Sequence, residues 1–239
     1  MFLTRFRFNT ARQGARLLLG APRRLHGAVN MSFPQGPPAA PGGGGGPRVL
    51  WRVDRNSPTE TLLYLVSPTR PDLTHLVEQA GWPASNTPGW DTYDYGSFLN
   101  NLAEGDVWAF RLTANPVHSI RRKEGEPTKR TAHITPRHQM SWLLQRQQEA
   151  GFAIVEKPAE RRLLPAGDEY HLLVRDRRDL RFHKEEHGRR HTVSLTAVTF
   201  EGHLRVTDPA MLRRTLTSGL GKGKAYGCGL MTLAPVRRP

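Results

Sequence analysis

Apolar and polar positions alternate from the start of the chain. Phe2, Thr4, Phe6 and Phe8 are interleaved with Leu3, Arg5 and Arg7, a period of two that predicts a strand with one buried face. Asn9 and Thr10 offer helix caps, and the composition from about Ala11 to Leu19 predicts a helix that Gly20-Ala21-Pro22 ends. A second helix is expected from Pro22 to about Met31, with proline in the first turn, where its missing N–H costs nothing. Phe33 to Pro47 contains QGPPAAPGGGGGP, too rich in proline and glycine to pack, and reads as a flexible loop. Arg48–Val53 and Thr61–Val66 predict two strands joined by the turn-forming Asp54–Pro58. A short helix is expected at Asp72–Ala80, irregular chain over 81–104, and a strand over Val107–Thr113 that stops at Ala114-Asn115-Pro116.

The second half repeats the alternation. Thr135-Pro136 opens a helix expected to reach Ala150, with Gly151 at its end. Phe152–Val155, Glu169–Val174, Asp179–His183 and Thr192–Thr199 are strand-like, and Glu201-Gly202 is expected to turn the chain into His203–Val206. Asp208-Pro209 starts a helix to about Thr217, and Leu230–Leu233 forms a final strand after a glycine-rich stretch. The order strand, helix, strand, strand, helix, strand is that of the ferredoxin-like α+β fold, an antiparallel sheet with two helices on one face. Two such βαββαβ domains in tandem fit the 239 residues. The expected division is a first domain at 1–116, a basic linker at 117–134 and a second domain at 135–239.

Charge sharpens this picture. The chain carries 35 Lys and Arg against 21 Asp and Glu, a net +14 with pI near 10.9. Residues 1–119 hold 11 basic and 8 acidic side chains, and residues 120–239 hold 24 and 13. A surface this basic attracts polyanions, because neutralising phosphates releases condensed counterions, so nucleic acid is the leading partner. Cys228 is the only cysteine, which excludes an intramolecular disulfide and zinc sites built on several cysteines, and makes a reducing, cytoplasmic compartment the expectation. No apolar run approaches the roughly 18 residues of a membrane span. Met1 to Val53 lacks acidic residues, as transit segments do, but its opening period of two reads as a strand rather than an amphipathic presequence.

The run Gly219-Leu-Gly-Lys-Gly-Lys-Ala-Tyr-Gly-Cys-Gly-Leu230 carries the densest chemistry. Its glycines permit positive φ and close backbone approach, successive amides can cradle an anion, and Lys222 and Lys224 add charge. It is not a nucleotide P-loop, which runs strand to helix and places Ser or Thr after Gly-Lys. His183, His187 and His191 have spacing a metal could use, but no cysteine or acidic frame supports it, and no metal or cofactor is expected.

Gly219 to Pro235 resembles the glycine-rich signature of the repeat-associated RNA-binding superfamily of CRISPR systems. Further landmarks narrow the resemblance to the CasE family, the endoribonuclease subunit of the type I-E Cascade complex. Arg111-Leu-Thr-Ala-Asn-Pro116 is similar to that family's RLxANP segment, and Phe200-Glu-Gly-x-Leu204 with Asp208 to its FEGxL segment. Leu25-His26 followed by Phe33-Pro34 resembles the stretch around its active-site histidine, and Arg55-Asn56-x-Pro58 also fits. The resemblance implies two ferredoxin-like domains that bind a stem-loop in repeat RNA. It implies cleavage at the 3′ base without a metal, by attack of the 2′-hydroxyl on the adjacent phosphate. It also implies that the enzyme stays on its product, the mature guide RNA, among the other Cascade subunits.

Such a reaction needs a group that takes the 2′ proton, one that protonates the leaving 5′ oxygen, and positive charge on the phosphorane. Histidine titrates near 6.5 and can be base or acid at neutral pH. His26, the only histidine before residue 75, matches the family position and is the expected catalytic residue. Three residues before it, where a tyrosine often lies in the family, stands Arg23; five after it, where some members carry lysine, stands Met31. Arg23 or Arg24 is therefore expected to stabilise the phosphorane. Two basic stretches are expected to hold RNA phosphates: Arg121, Arg122 and Lys123 with Lys129 and Arg130, and a hairpin with Arg177, Arg178, Arg181, His183, Lys184, Arg189 and Arg190. Gly221, Lys222 and Lys224 are expected to add to them. The alternative is a weakly active or inactive RNA-binding subunit that caps the repeat hairpin. The aromatic runs that would mark a generic RNA-recognition sheet are absent.

Overall fold

The computed structural model describes residues 1–36, 48–84, 89–120, 129–164, 167–186 and 189–236, with the backbone alone at 120, 129, 130, 183–186 and 189–191. It divides into two compact units: Met1–Leu102, Arg213–Gly219 and Lys224–Leu230 in the first, Ala103–Leu212, Leu220–Gly223 and Met231–Pro239 in the second.

The first unit contains β1 (Phe2–Phe8), α1 (Gln13–Leu19), α2 (Pro22–Met31), β2 (Leu50–Ser57), β3 (Glu60–Ser67), α3 (Thr74–Ala80), β4 (Trp90–Asp94) and α4 (Tyr95–Asn100). Its sheet has the order β2-β3-β1-β4 with antiparallel neighbours throughout, the ferredoxin-like arrangement. The alternation on β1 holds: Thr4, Phe6 and Phe8 are buried, and Arg5 and Arg7 are exposed. Phe6 and Phe8 meet edge to face at 5.0 Å and join Leu18 of α1, Leu25 and Val29 of α2, and Leu76 of α3 in one core. Burying each such side chain stabilises the fold by about 1.5–3 kcal/mol. Asn9 does not cap α1; its Oδ1 accepts from the Ala11 amide at 3.1 Å, and the helix begins after Arg12.

The second unit holds β5 (Val107–Ala114), β6 (Val117–Ile120), β7 (Lys129–Ala132), α5 (Pro136–Leu144), β8 (Phe152–Ile154), β9 (Leu172–Glu186), β10 (Arg189–Val206) and β11 (Met231–Pro235). Helix α6 (Pro209–Ser218) begins in the second unit and ends in the first. The order β11-β5-β10-β8 repeats the ferredoxin-like permutation, with β9 added along β10. Trp142 of α5 stacks on Phe200 of β10 at 6.0 Å, and Phe110 lies 6.4 Å from Phe152.

Four expectations change. The strand at Val107–Ala114 does not close the first sheet; it is the central β5 of the second, paired with β10 and β11. The first sheet is closed instead by β4, in a stretch expected to be irregular, so the division falls after Leu102 rather than at 116. The stretch 117–134 is not a plain linker, since β6 and β7 pair as a hairpin in the second unit. Glu201-Gly202 is not a turn. β10 runs straight through it, and Gly202 is required because a Cβ there would stand 1.9 Å from the His171 carbonyl oxygen. The expected loop core, residues 37–47, lies outside the described residues. No helix among the described residues is long and apolar enough to cross a membrane.

Candidate active site and RNA-contacting elements

His26 sits mid-way along α2. Pro22 occupies the first turn, and Leu25, Ala28 and Val29 face the core, which fixes the rotation of the helix. His26 therefore lies at the margin of the buried face, half-buried beside Asn30. The Asn30 Nδ2 lies 3.4 Å from His26 Nε2, and His26 Nδ1 is buried without a partner. Burial holds the imidazole below its ordinary pKa, so it is neutral near pH 7 and able to accept a proton.

Helical arithmetic separates the two arginines. Arg23 precedes His26 by three residues and shares its side of the helix, whereas Arg24 is displaced by two residues and points away from it. Both are exposed. Met31 is 71% exposed and carries no charge.

A 3₁₀ turn at Lys224–Tyr226 packs against α2. It brings Lys224, one of the expected residues, to the helix that bears His26. Two further groups, Asn30 and Tyr226, were not among the expected residues. Asn30 is signalled by its place one turn after His26, and Tyr226 by being the only aromatic in the glycine run. Gly219, Gly221, Gly223, Gly227 and Gly229 all take φ between 77° and 93°, so the run is shaped by left-handed backbone that other residues resist. At Gly221 the Trp142 ring would stand 3.0 Å from a Cβ. Lys222, exposed, pairs its backbone with Asn115 at the end of β5.

The remaining basic residues belong to the second unit. Arg181 is exposed on β9. His183 and Lys184 lie further along β9, Arg189 and Arg190 open β10, and Lys129 and Arg130 lie on β7. Residues 189–197 of β10 pair only with β9, so these positions form a two-stranded arm beyond the sheet. Arg177 is partly neutralised, its Nη2 donating to Asp179 Oδ2 at 2.8 Å. Arg121, Arg122, Lys123 and His187 lie outside the described residues. Among the described residues, no cluster of three or more His, Cys, Asp or Glu could hold a metal.

The landmark motifs of the second unit prove architectural. Arg111 of β5 and Glu201 of β10 stand directly opposite in register and form an ion pair, and Arg175 donates to the same carboxylate at 2.6 Å.

A family model described as CRISPR associated protein matches residues 1–235. The CRISPR-associated endoribonuclease Cse3 of Thermus thermophilus is 31% identical over 236 residues, covering 98% of this chain and all of the relative. A structure of Thermus thermophilus Cse3 bound to an RNA representing a pre-cleavage complex superposes with a TM-score of 0.70 at 27% identity, covering 98% of each chain. The Cas6e protein of Escherichia coli shares the fold, with a TM-score of 0.57 at 22% identity over 99% of this chain and all of the other. Matched by the family model from its first strand to its last and nearly a third identical to Cse3, the chain belongs to the CRISPR-associated Cse3 (CasE) family.

Proposed function

We propose that this chain is a metal-independent endoribonuclease that binds the stem-loop of CRISPR repeat RNA and cleaves it at the 3′ base. The observation that carries this reading is the neutral, half-buried His26 on a helix against which the glycine-rich run packs its Lys224–Tyr226 turn, in a chain so similar to an RNA-bound Cse3. The 2′-hydroxyl attacks the adjacent phosphorus and its proton passes to His26. The 2′-oxygen–phosphorus bond forms as the bond to the 5′ oxygen breaks, leaving a 2′,3′-cyclic phosphate and, once protonated, a 5′-hydroxyl. Arg23 supplies positive charge to the phosphorane, and Lys224 or Tyr226, on the turn that packs against α2, protonates the leaving oxygen.

The β9–β10 arm and the β6–β7 hairpin hold phosphates of the stem, consistent with a duplex whose deep major groove is read by shape and charge. The product stays bound, and the protein works in the cytoplasm as a subunit beside other Cascade proteins. The reading is tested with repeat hairpin RNA in EDTA, comparing wild type with His26→Ala and native RNA with RNA lacking the 2′-hydroxyl at the cut. Cleavage abolished in both controls is the expected result. Tight binding by wild type without cleavage would instead favour the hairpin-capping role, which the uncharged, exposed Met31 makes the second reading.

A further inference from the structure

Strand β2 meets the glycine-rich run at consecutive residues, and all the contacts lie within the first unit. Just before the strand, the Arg48 amide donates to the Thr217 carbonyl at 3.2 Å. At Gly219 a Cβ would stand 2.8 Å from the Leu50 side chain, and at Gly227 it would stand 2.6 Å from the Trp51 ring. Arg52, 1% exposed, donates from Nη1 to the Leu230 carbonyl at 3.1 Å. Its other nitrogens grip Asp54, Nε to Oδ1 at 2.6 Å and Nη2 to Oδ2 at 2.8 Å, and the guanidinium lies 5.4 Å from the Tyr64 ring.

A fully buried arginine is costly to desolvate, and the two-toothed grip of Asp54 fixes its plane. With that plane fixed, Nη1 also lies in a fixed place, and one of its two N–H groups meets the carbonyl that ends the run. Leu50 and Trp51 meanwhile press on the two glycines that bracket the Lys224–Tyr226 turn. The turn packs on α2, the helix of His26.

We infer that Arg52, held by Asp54, is a positioning residue for the reaction: it fastens the end of the glycine-rich run so that the Lys224–Tyr226 turn stays seated against the His26 helix. This rests on the endoribonuclease reading for its catalytic consequence, though not for its structural one. The side chain acts through the loop and needs no contact with RNA.

The test uses the full-length protein and the paired change Arg52→Met with Asp54→Leu. An apolar pair of similar volume often replaces a buried ion pair without loss of stability, which separates anchoring from folding. Arg52→Lys, which keeps the charge but not the fork, is the second variant. Two readouts are taken: hydrogen exchange of the amides in 219–230, and single-turnover cleavage of hairpin RNA at saturating protein. The expected result is at least tenfold faster exchange across 219–230 in both variants, with strands β1 and β3 unchanged. Cleavage falls at least tenfold, while hairpin affinity stays within threefold of wild type. Unchanged exchange in 219–230 overturns the inference whatever the cleavage rate. Faster exchange with wild-type cleavage overturns the catalytic part. If wild type itself does not cut, the endoribonuclease reading fails, and exchange alone decides the anchoring role.

Discussion

Asn30 stands one helical turn beyond His26, its amide nitrogen 3.4 Å from the imidazole Nε2, while the other imidazole nitrogen is buried without a partner. A neutral amide cannot stabilise an imidazolium as a carboxylate would, so nothing in this pair offsets the burial that lowers the His26 pKa. Single-turnover cleavage should therefore rise with pH through a midpoint below the ordinary histidine value of about 6.5. Asn30→Asp should move the midpoint upward by about one pH unit or more, because a nearby negative charge favours the protonated ring. A pH–rate series on both proteins checks this; an unmoved midpoint would remove His26 as the titrating base.

Arg23 and Arg24 are neighbours in sequence but diverge on the helix. Arg23→Ala should lower the single-turnover rate by roughly 10²-fold, as losing one transition-state charge contact does. Arg24→Ala should stay within about twofold, since it lies away from the His26 side. Equal losses in the two variants would mean that the charge acts at long range rather than on the phosphorane.

Folding stability should also respond to acid as pH falls below about 6.5. His26, His133 and His171 all have depressed folded-state pKa values, each chiefly through burial. Below about 6.5 the unfolded chain binds more protons than the folded one, so stability is full above that pH and falls as pH drops towards the folded values. Asp72, Asp94, Asp168 and Asp179, depressed mainly by hydrogen bonds, keep their contribution until pH falls through about 4 and below. Tm measured by calorimetry should thus decline in two separate windows, and His26→Gln should shrink the upper one only.

Two glycines with similar backbone should differ sharply when replaced by alanine. Gly105 and Gly227 have φ of 86° and 81°. Nothing lies within 4 Å of a Cβ at Gly105, so only the left-handed backbone penalty of about 1–2 kcal/mol applies. At Gly227 the Trp51 ring is 2.6 Å away, adding about 1–3 kcal/mol of overpacking. Urea unfolding of both variants measures the gap.

On the β9–β10 arm, Arg181 is exposed. Arg181→Ala should weaken hairpin binding and reduce the slope of log K against log salt by about one contact's share, roughly 0.7–0.9. An unaltered slope would place the duplex away from this part of the arm.

Much of this architecture was legible because local rules and tertiary packing agree. The Phe2–Phe8 alternation and the Pro22 start of α2 gave the strand and the helix that carries His26. Strand β4 escaped notice because Trp90–Asp94 is short, polar and at a sheet edge, with no alternating apolar face. Val107–Ala114 was recognised as a strand, yet pairing is a long-range property. Following sequence order put it with the first sheet, whereas its partners are nearly a hundred residues later. Gly202 looked like a turn because a glycine required by a close backbone approach reads the same as one required by a bend. At the site, Lys224 and His26 were legible as residue types, but the buried Arg52 was not. Arginine in a strand normally signals a solvent face, and the carbonyl it serves is 178 residues away.

That separation has a consequence for how the chain is made. The first unit contains residues 213–219 and 224–230 as well as the opening hundred. During synthesis its sheet and helices emerge early, yet the carbonyl that Arg52 requires is translated long afterwards, following the entire β5–β10 region. The amino-terminal domain is therefore the first to begin folding and among the last to finish. On the ribosome, Arg52 has no Leu230 carbonyl to donate to until the last tenth of the chain is made.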